Sequence, residues 1–594
     1  MVAAESGARV WIGVLPLVAA LTLAFASPAA AVPAVALSPL NGTPDASPST
    51  QISFLGVPAK EIGDVSVVGS HSGRHGGRLE SYVSAPGASF LPGRPFAPGE
   101  RVTASALVGR RGHAERVSTT FTVARPSGHQ PTFGKGTYRT KPGLVQSFVS
   151  APELQPPTVF VTTDAPNATP GDVFFTPTVG YGQTGTMIVN GKGALVWFQP
   201  SPKGEEAADF QEENYRGQPV LVWWQGRVSG ELGVGFGTDE VYSSSYRPIA
   251  TISAGNGYEA DLHEAQITPQ GSAFITAYAL ADADLSSLGG SRNGILQDAV
   301  LQEIDVPTGL VMFEWHADGH VALGDSRTRP SPTGRPWDFF HLNSVSVDPW
   351  GDGNFIVSSR NTWAAYEVNH ISGVVMWRLG GDHPSFKMGA GTGFAWQHDV
   401  RWQPDHTLTI FDDGATPKEH SQSRAIRERI DWAGRSVSLV GRDVHSPPLL
   451  TGSQGNDQVL PDGDSFVGWG ELPYFTEFGP DGETLFDARF PSPGQSYRAF
   501  RFPWSATPAV PPAVAVRSGE AGSATVYASW NGATGVSGWT VLGGASATTL
   551  SPIASVPSTG FETAIPVSSA DAYFAVQALG SQGQALRTSA AVAR

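Results

Sequence analysis

Residues 341–381 read HLNSVSVDPWGDGNFIVSSRNTWAAYEVNHISGVVMWRLGG. A strand opens at His341, passes through the polar turn D-P-W-G-D-G-N and returns as a second strand that ends at Arg360. A second pair follows, A-A-Y-E-V running through N-H-I-S-G into V-V-M-W-R. Apolar and β-branched residues fill the runs, and Gly, Pro, Asn and Asp fill the breaks, which is the pattern of consecutive hairpins.

The same glycine turn leading into an apolar strand recurs in GKGALVWFQP, PTGLVMFEWHADG, WAGRSVSLVGR and PDGETLFDARF. Gly309, Gly373, Gly434 and Gly482 are 64, 61 and 48 residues apart. A hairpin at that interval, with further strands between, fits the blades of a β-propeller better than the shorter, more regular repeats of a β-helix. Blades bury their faces only against neighbours, so the array has to close into a ring. We expect it to span residues 130–505, with the early strand TVFVTT and the late YRAFRFPW sharing one blade to close it.

The flanks have a different texture. QISFLG, DVSVVGS, RVTASALVG and RVSTTFTV predict an immunoglobulin-like β-sandwich over 32–125. Beyond the Pro-rich SATPAVPPAVAV, residues 506–594 carry Trp530, Trp539 and a late Tyr-x-x-x-Ala strand, which resembles a fibronectin III-like β-sandwich. The expected fold class is all-β: one propeller flanked by two sandwiches.

Composition agrees. The 594 residues include 70 Gly, 47 Pro and 16 Trp but only 15% charged residues, against about 25% in an ordinary soluble domain. A helical bundle, a coiled coil and intrinsic disorder are thereby disfavoured. The net charge of −15 leaves no basic surplus for nucleic acid. Cysteine is absent, which removes disulfides, thiolate catalysis and thiolate metal sites. Near the N-terminus Arg9 precedes an uncharged run, VWIGVLPLVAALTLAF, and then ASPAAA. This pattern is a signal peptide over 1–31 with cleavage after Ala31, the alternative being an uncleaved anchor. The expected location is secreted or cell-surface, without stable membrane insertion.

Fourteen histidines are the informative reactive set. Those near Gly-, Asp- or Pro-rich turns, His316 among them, read as solvated. Three share a different context, each opening a strand that runs through a polar turn into the next: His263 in DLHEAQITPQG, His341 in FFHLNSVSVDP and His398 in WQHDVRWQPD. Repeated in three blades, that position aims three imidazoles at one axis, and Arg360 returns to the end where His341 begins. Neutral imidazole is a competent nucleophile and base, and guanidinium grips a tetrahedral oxyanion. The combination points to transfer of a sulfuryl or phosphoryl group. Asn343 is a candidate sulfate donor or loop brace. Among nearby aromatics, Trp337 and Trp396 are the chosen walls for an aryl group, ahead of Trp223, Trp224, Phe340 and Trp363.

The stretch 341–381, followed by QHDVRWQPDHTLTIFDDG, resembles the arylsulfotransferases (aryl-sulfate sulfotransferases), in their secreted bacterial and fungal branch. DLHEAQITPQGSAFITAY, NDQVLPDGDSFVGWGELPYFTEFGPDG and SYRAFRFPW extend the similarity over about 155–505. The resemblance implies a six-bladed propeller that exchanges sulfate between phenols without a nucleotide donor and without a cofactor. It also implies that His398, in the Q-H motif, is transiently sulfated, with His341, Arg360 and His263 as the matching catalytic positions. The expected partners are an aryl sulfate and a phenolic acceptor. A metal-dependent glycan lyase or hydrolase, with the histidines as ligands, and a non-catalytic binding propeller are the alternatives. Oligomeric state is not encoded in any of these features.

Overall fold

The structure is a computed structural model that describes residues 35–594 apart from 111, 135, 137, 352 and 521. The expected signal peptide lies outside the described residues. The described chain is all-β, with only four short 3₁₀ turns. Among the described residues no helix is long and apolar enough to cross a membrane.

Residues 160–502 form five sheets, and the nine-stranded one joins two groups of four principal strands through the single pair Gly237–Ala260, so the strands fall into six mainly antiparallel groups, called units below. Their innermost strands are β1 (Glu206–Tyr215), β2 (Ala260–Ile267), β3 (Leu342–Val347), β4 (His398–Trp402), β5 (Asn456–Val459) and β6 (Ala499–Phe502). Successive inner strands touch in the order β1, β2, β3, β4, β5, β6, and β6 touches β1 again. The turns at Gly309, Gly373, Gly434 and Gly482 each join the third and fourth strands of a unit, which accounts for their spacing. Three of them have a positive φ of 69–76°, where glycine is favoured.

Period-two alternation lets each sheet bury both faces. Six apolar cores result, one between each pair of neighbouring units. Phe174 and Ile188 meet Phe210 and Trp223; Trp224 and Val241 meet Ile275 and Ile304; Phe313 and Trp315 meet Phe355 and Tyr366. Ile356 and Leu379 meet Ile410 and Ile426; Phe411 and Ala425 meet Val467 and Trp469; Phe466 and Phe475 meet Val173 and Phe175. The last pairing joins the final unit to the first, so the sequence of cores is cyclic.

Inner strands are sheet edges whose outward N–H groups need partners. Side-chain oxygens of the preceding inner strand supply them. Glu264 accepts from Val345 N (3.1 Å), Ser344 from Val400 N (3.0 Å), Asp399 from Asp457 N (3.2 Å) and Asn456 from Ala499 N (2.9 Å). Where β6 meets β1 the link is an ion pair, Arg498 Nη1 to Asp209 Oδ1 at 2.7 Å.

The closing strands correct one expectation. Phe160–Asp164 pairs with Thr484–Arg489 at the outer edge of the last unit, whereas Ala499–Phe502 pairs with Asp172–Phe175 as the inner strand of the first. They do not share a sheet. One strand crosses in each direction, on opposite edges, and the ends of the array are stapled twice.

Two further pairs of sheets flank this body. Residues 36–122 form two four-stranded sheets around Phe54, Val67, Val102 and Phe121. Residues 513–593 form a three-stranded and a five-stranded sheet around Val526, Trp539, Ile565 and Phe574. Ser53, Tyr82 and Ser89 of the N-terminal pair all donate to the Val311 carbonyl of the third unit.

Candidate active site

The four residues singled out by sequence converge on one end of the inner strands. His398 opens β4, His263 lies within β2, and His341 immediately precedes β3. Arg360 follows the strand paired antiparallel to β3, so its N–H returns to the His341 carbonyl at 3.0 Å. The register of β1, β2, β3 and β4 shifts at Ala208/Gln211, Ala260/Ala265, Leu342/Ser344 and His398/Arg401 respectively. Such bulges re-aim side chains. Asp209, His341 and Asp399 at or beside them have φ of 53–55°, a conformation that costs about 1–3 kcal/mol in a non-glycine residue.

Each imidazole is held at Nδ1 by its own carboxylate: His263 by Asp261 at 2.5 Å, His341 by Asp338 at 2.6 Å and His398 by Asp413 at 2.8 Å. The His263 and His341 rings meet edge-on, with centroids 4.8 Å apart. Tyr497 lies beside both His263 (5.4 Å) and His398 (6.4 Å). Its hydroxyl donates to the Asn343 carbonyl at 3.0 Å.

Arg360 lies 4.9 Å over the Trp396 ring and donates to the Gly452 carbonyl at 2.9 Å. Two residues on, Gln454 N–H points to His398 Nε2 at 3.2 Å. An Nε2 that accepts requires the proton on Nδ1, so Asp413 is the acceptor in the pair although burial pushes its carboxyl up. Burial, reinforced by the charges of Arg360, His341 and His263, holds His398 well below the ordinary imidazole value. Burial also lowers His341, against the pull of Asp338. His398 is therefore a neutral imidazole with its Nε2 lone pair directed at the loop 452–454.

Exposure is uneven. His398 is 1% exposed and His263 3%, whereas the His341 side chain is 13% exposed. His341 and Arg360 are the more exposed members of the group.

The weaker expectations fare differently. Asn343 spends its side-chain amide on the Gln397 carbonyl at 2.7 Å, bracing the residue before His398 instead of facing a ligand. Trp337 is buried in the core between the third and fourth units and donates to Thr328 Oγ1 at 2.9 Å, so it is no wall of the site. Trp223 and Trp224 are also core residues. Trp396 does border the site, beneath Arg360, and packs edge-on against Trp363 at 5.1 Å.

Sequence reasoning missed the supporting charges. Arg498, fully buried, reaches Asp209, Glu264 and Asp399 at 2.7, 3.3 and 3.4 Å and the Asn343 carbonyl at 2.9 Å. The three histidine-binding carboxylates were visible as D-x-H, D-F-F-H and the D-D before Gly414. Arg498 had no such signal beyond lying in SYRAFRFPW.

Three carboxylate-braced imidazoles and a guanidinium gathered at the inner strands of an all-β body offer a neutral imidazole nucleophile and a cationic fork for an oxyanion. Residues 211–491 match the model of the family described as Arylsulfotransferase (ASST). No curated protein matches the sequence. Among solved structures, a protein of unknown function from Bacteroides caccae is similar at 12% identity and a TM-score of 0.35, over 56% of this chain and 99% of that one. Virginiamycin B lyase from Staphylococcus aureus is similar at 10% identity and 0.24, over 62% and 94%. Sqt1 of Saccharomyces cerevisiae reaches 9% and 0.26, over 84% and 94%. At these scores none of the three bears on the reading of the site.

Proposed function

We propose that the chain is an exported, nucleotide-independent aryl sulfotransferase that moves a sulfuryl group from an aryl sulfate to a phenol through sulfated His398. The reading rests on a six-bladed propeller over 130–505, supported by the cyclic order of inner strands and cores, between an immunoglobulin-like (32–125) and a fibronectin III-like (506–594) sandwich. The observation that carries it is the state of His398: neutral, its Nδ1 proton held by Asp413, and set among Arg360 and two more imidazoles.

In the first half-reaction Nε2 of His398 attacks the ester sulfur. An N–S bond forms as the S–O bond to the aryl group breaks, and the electron pair leaves on the phenolate oxygen, which takes a proton from His263 or His341. In the second, a new phenol gives its proton to that base as its oxygen attacks sulfur, and the N–S bond breaks. Arg360 holds sulfuryl oxygens throughout. The N–H of Gln454, released from Nε2 when the lone pair is used, is placed to donate to the same oxygens.

Arg360→Ala is expected to lower kcat/KM by about 10²–10³-fold, the usual loss for one oxyanion donor, assayed with 4-nitrophenyl sulfate as donor and a second phenol as acceptor. A loss below threefold would remove Arg360 from the chemistry. The pH profile supplies a separate check. Because His398 must be neutral to attack and its pKa is depressed, the acid limb of kcat/KM should fall below the ordinary 6.5 of histidine, with a second fall on the alkaline side where the proton-donating histidine loses its proton. An acid limb at or above that value contradicts the assignment.

Transfer should be indifferent to a chelator at a temperature where the chain stays folded. Chelator-dependent turnover would favour the lyase or hydrolase reading, and no turnover a binding propeller. Against the metal-bound reading stands Arg360, whose positive charge acts on His341 and His398 and would raise the cost of a divalent ion held by them.

A further inference from the structure

His316 reads from its sequence as a solvated turn residue, but it is 1% exposed. It ends the strand Leu310–His316, and the N-terminal pair of sheets covers it. The loop between Ala36–Ser38 and Ile52–Leu55 brings Asp45 onto the ring. His316 Nδ1 is 3.0 Å from Asp45 Oδ1 and 3.0 Å from Asp298 Oδ2, while Nε2 is 3.2 Å from Glu314 Oε1.

One ring nitrogen has a single proton or a single lone pair, so Nδ1 cannot serve two carboxylates with full hydrogen bonds. The surplus falls on Asp45, more than nine-tenths buried, both of whose oxygens lack a hydrogen-bond partner. The enclosed hydroxyl of Tyr258 also lacks one, and its ring lies edge-on to His316 with centroids 6.4 Å apart. The other groups are accounted for. Asp298 Oδ1 accepts from Asp318 N (2.8 Å), and Glu314 Oε2 accepts from Asn256 Nδ2 (2.7 Å) and Gln302 Nε2 (2.6 Å).

Charge tells the same story. Three carboxylates face one imidazole, and among the described residues none of the three forms an ion pair with Lys or Arg. Buried anions in excess need a cation. Donor atoms of Asp45, Asp298 and His316 all lie within 4.8 Å of one another. A nitrogen–oxygen separation of 3.0 Å is the chord of a right angle at a metal with bonds of about 2.1 Å. One imidazole with two carboxylates suits the borderline ions Mn²⁺ and Zn²⁺ better than Ca²⁺, which takes oxygen ligands.

We propose that Asp45, Asp298 and His316 bind one divalent cation of the Mn²⁺/Zn²⁺ class, which clamps the N-terminal pair of sheets to the third unit of the ring. Asp45 comes from the sheets and the other two ligands from the unit whose inner strand carries His263, so the ion joins two bodies that otherwise meet through hydrogen bonds and a small apolar contact.

The test uses the full chain, stripped with a chelator and equilibrated with Zn²⁺ alone or Mn²⁺ alone. One equivalent of at least one of these ions should remain per chain. Asp45→Asn should weaken its binding at least tenfold, and His445→Gln, at a distant histidine, should leave it unchanged. X-ray absorption of the loaded wild-type protein should find one imidazole nitrogen with oxygens around the ion, which keeps the proposal testable if Asp45→Asn does not fold. No retained Zn²⁺ or Mn²⁺, equal binding by Asp45→Asn, or a first shell without imidazole overturns it. None of these readouts involves sulfate transfer, so the site stands or falls apart from the proposed activity.

Discussion

His398→Ala is expected to reduce sulfuryl transfer by at least about 10⁴-fold, as when a covalent nucleophile is removed from an enzyme. Arg360, His263 and His341 remain in the variant, and they can hold the ester but cannot accept its sulfur. The decisive measurement is mass analysis of the peptide bearing residue 398 after quenching with donor present and acceptor absent. Wild type should gain one SO₃ there and the variant none. Modification at His263 or His341 instead would reassign the nucleophile, and turnover without any sulfated peptide would replace double displacement by direct transfer.

The second large effect is on stability. Arg498→Met is expected to cost about 3–5 kcal/mol, the range for breaking a buried ion pair on one side. Glu264 and Asp399 keep Arg401 at 2.6 and 2.8 Å, but Asp209 loses its only ion-pair partner among the described residues. Much of the cost is therefore an uncompensated buried carboxylate. Asp209→Asn combined with Arg498→Met should recover part of it. Denaturant unfolding followed by tryptophan fluorescence measures both, and a loss under about 1 kcal/mol for the single variant would place it among ordinary substitutions.

Residue patterns carried much of this arrangement. The glycines at 309, 373, 434 and 482 marked the same turn of four successive units because a tight turn between paired strands depends on local chemistry. His263, His341 and His398 were singled out because each stands in the first half of a repeated hairpin, and Arg360 because it closes the hairpin that His341 opens; a repeat converts sequence position into spatial position. Asp261 and Asp338 lie two and three residues from their histidines, whereas Asp413 lies fifteen from His398 and is brought to it by strand pairing. What stayed hidden depended on contacts between distant segments. The destination of Phe160–Asp164 and Ala499–Phe502 is fixed by which edge each strand completes. Trp337 was misjudged, and Asn343 left between two roles, because nearness along the chain to a reactive residue does not say which way a side chain faces. His316 was misjudged because its cover arrives from residues some 270 positions earlier.

The strand Ala499–Phe502 also has a temporal meaning. Tyr497 and Arg498, just ahead of it, complete the surroundings of histidines made 99 to 234 residues before them. During synthesis from the N-terminus, all three histidines are made before Tyr497, which packs beside two of them, and Arg498, which pairs Asp209. The nascent chain thus carries its reactive groups unassembled until nearly the whole ring has been translated, and competence arrives late, with a single short segment.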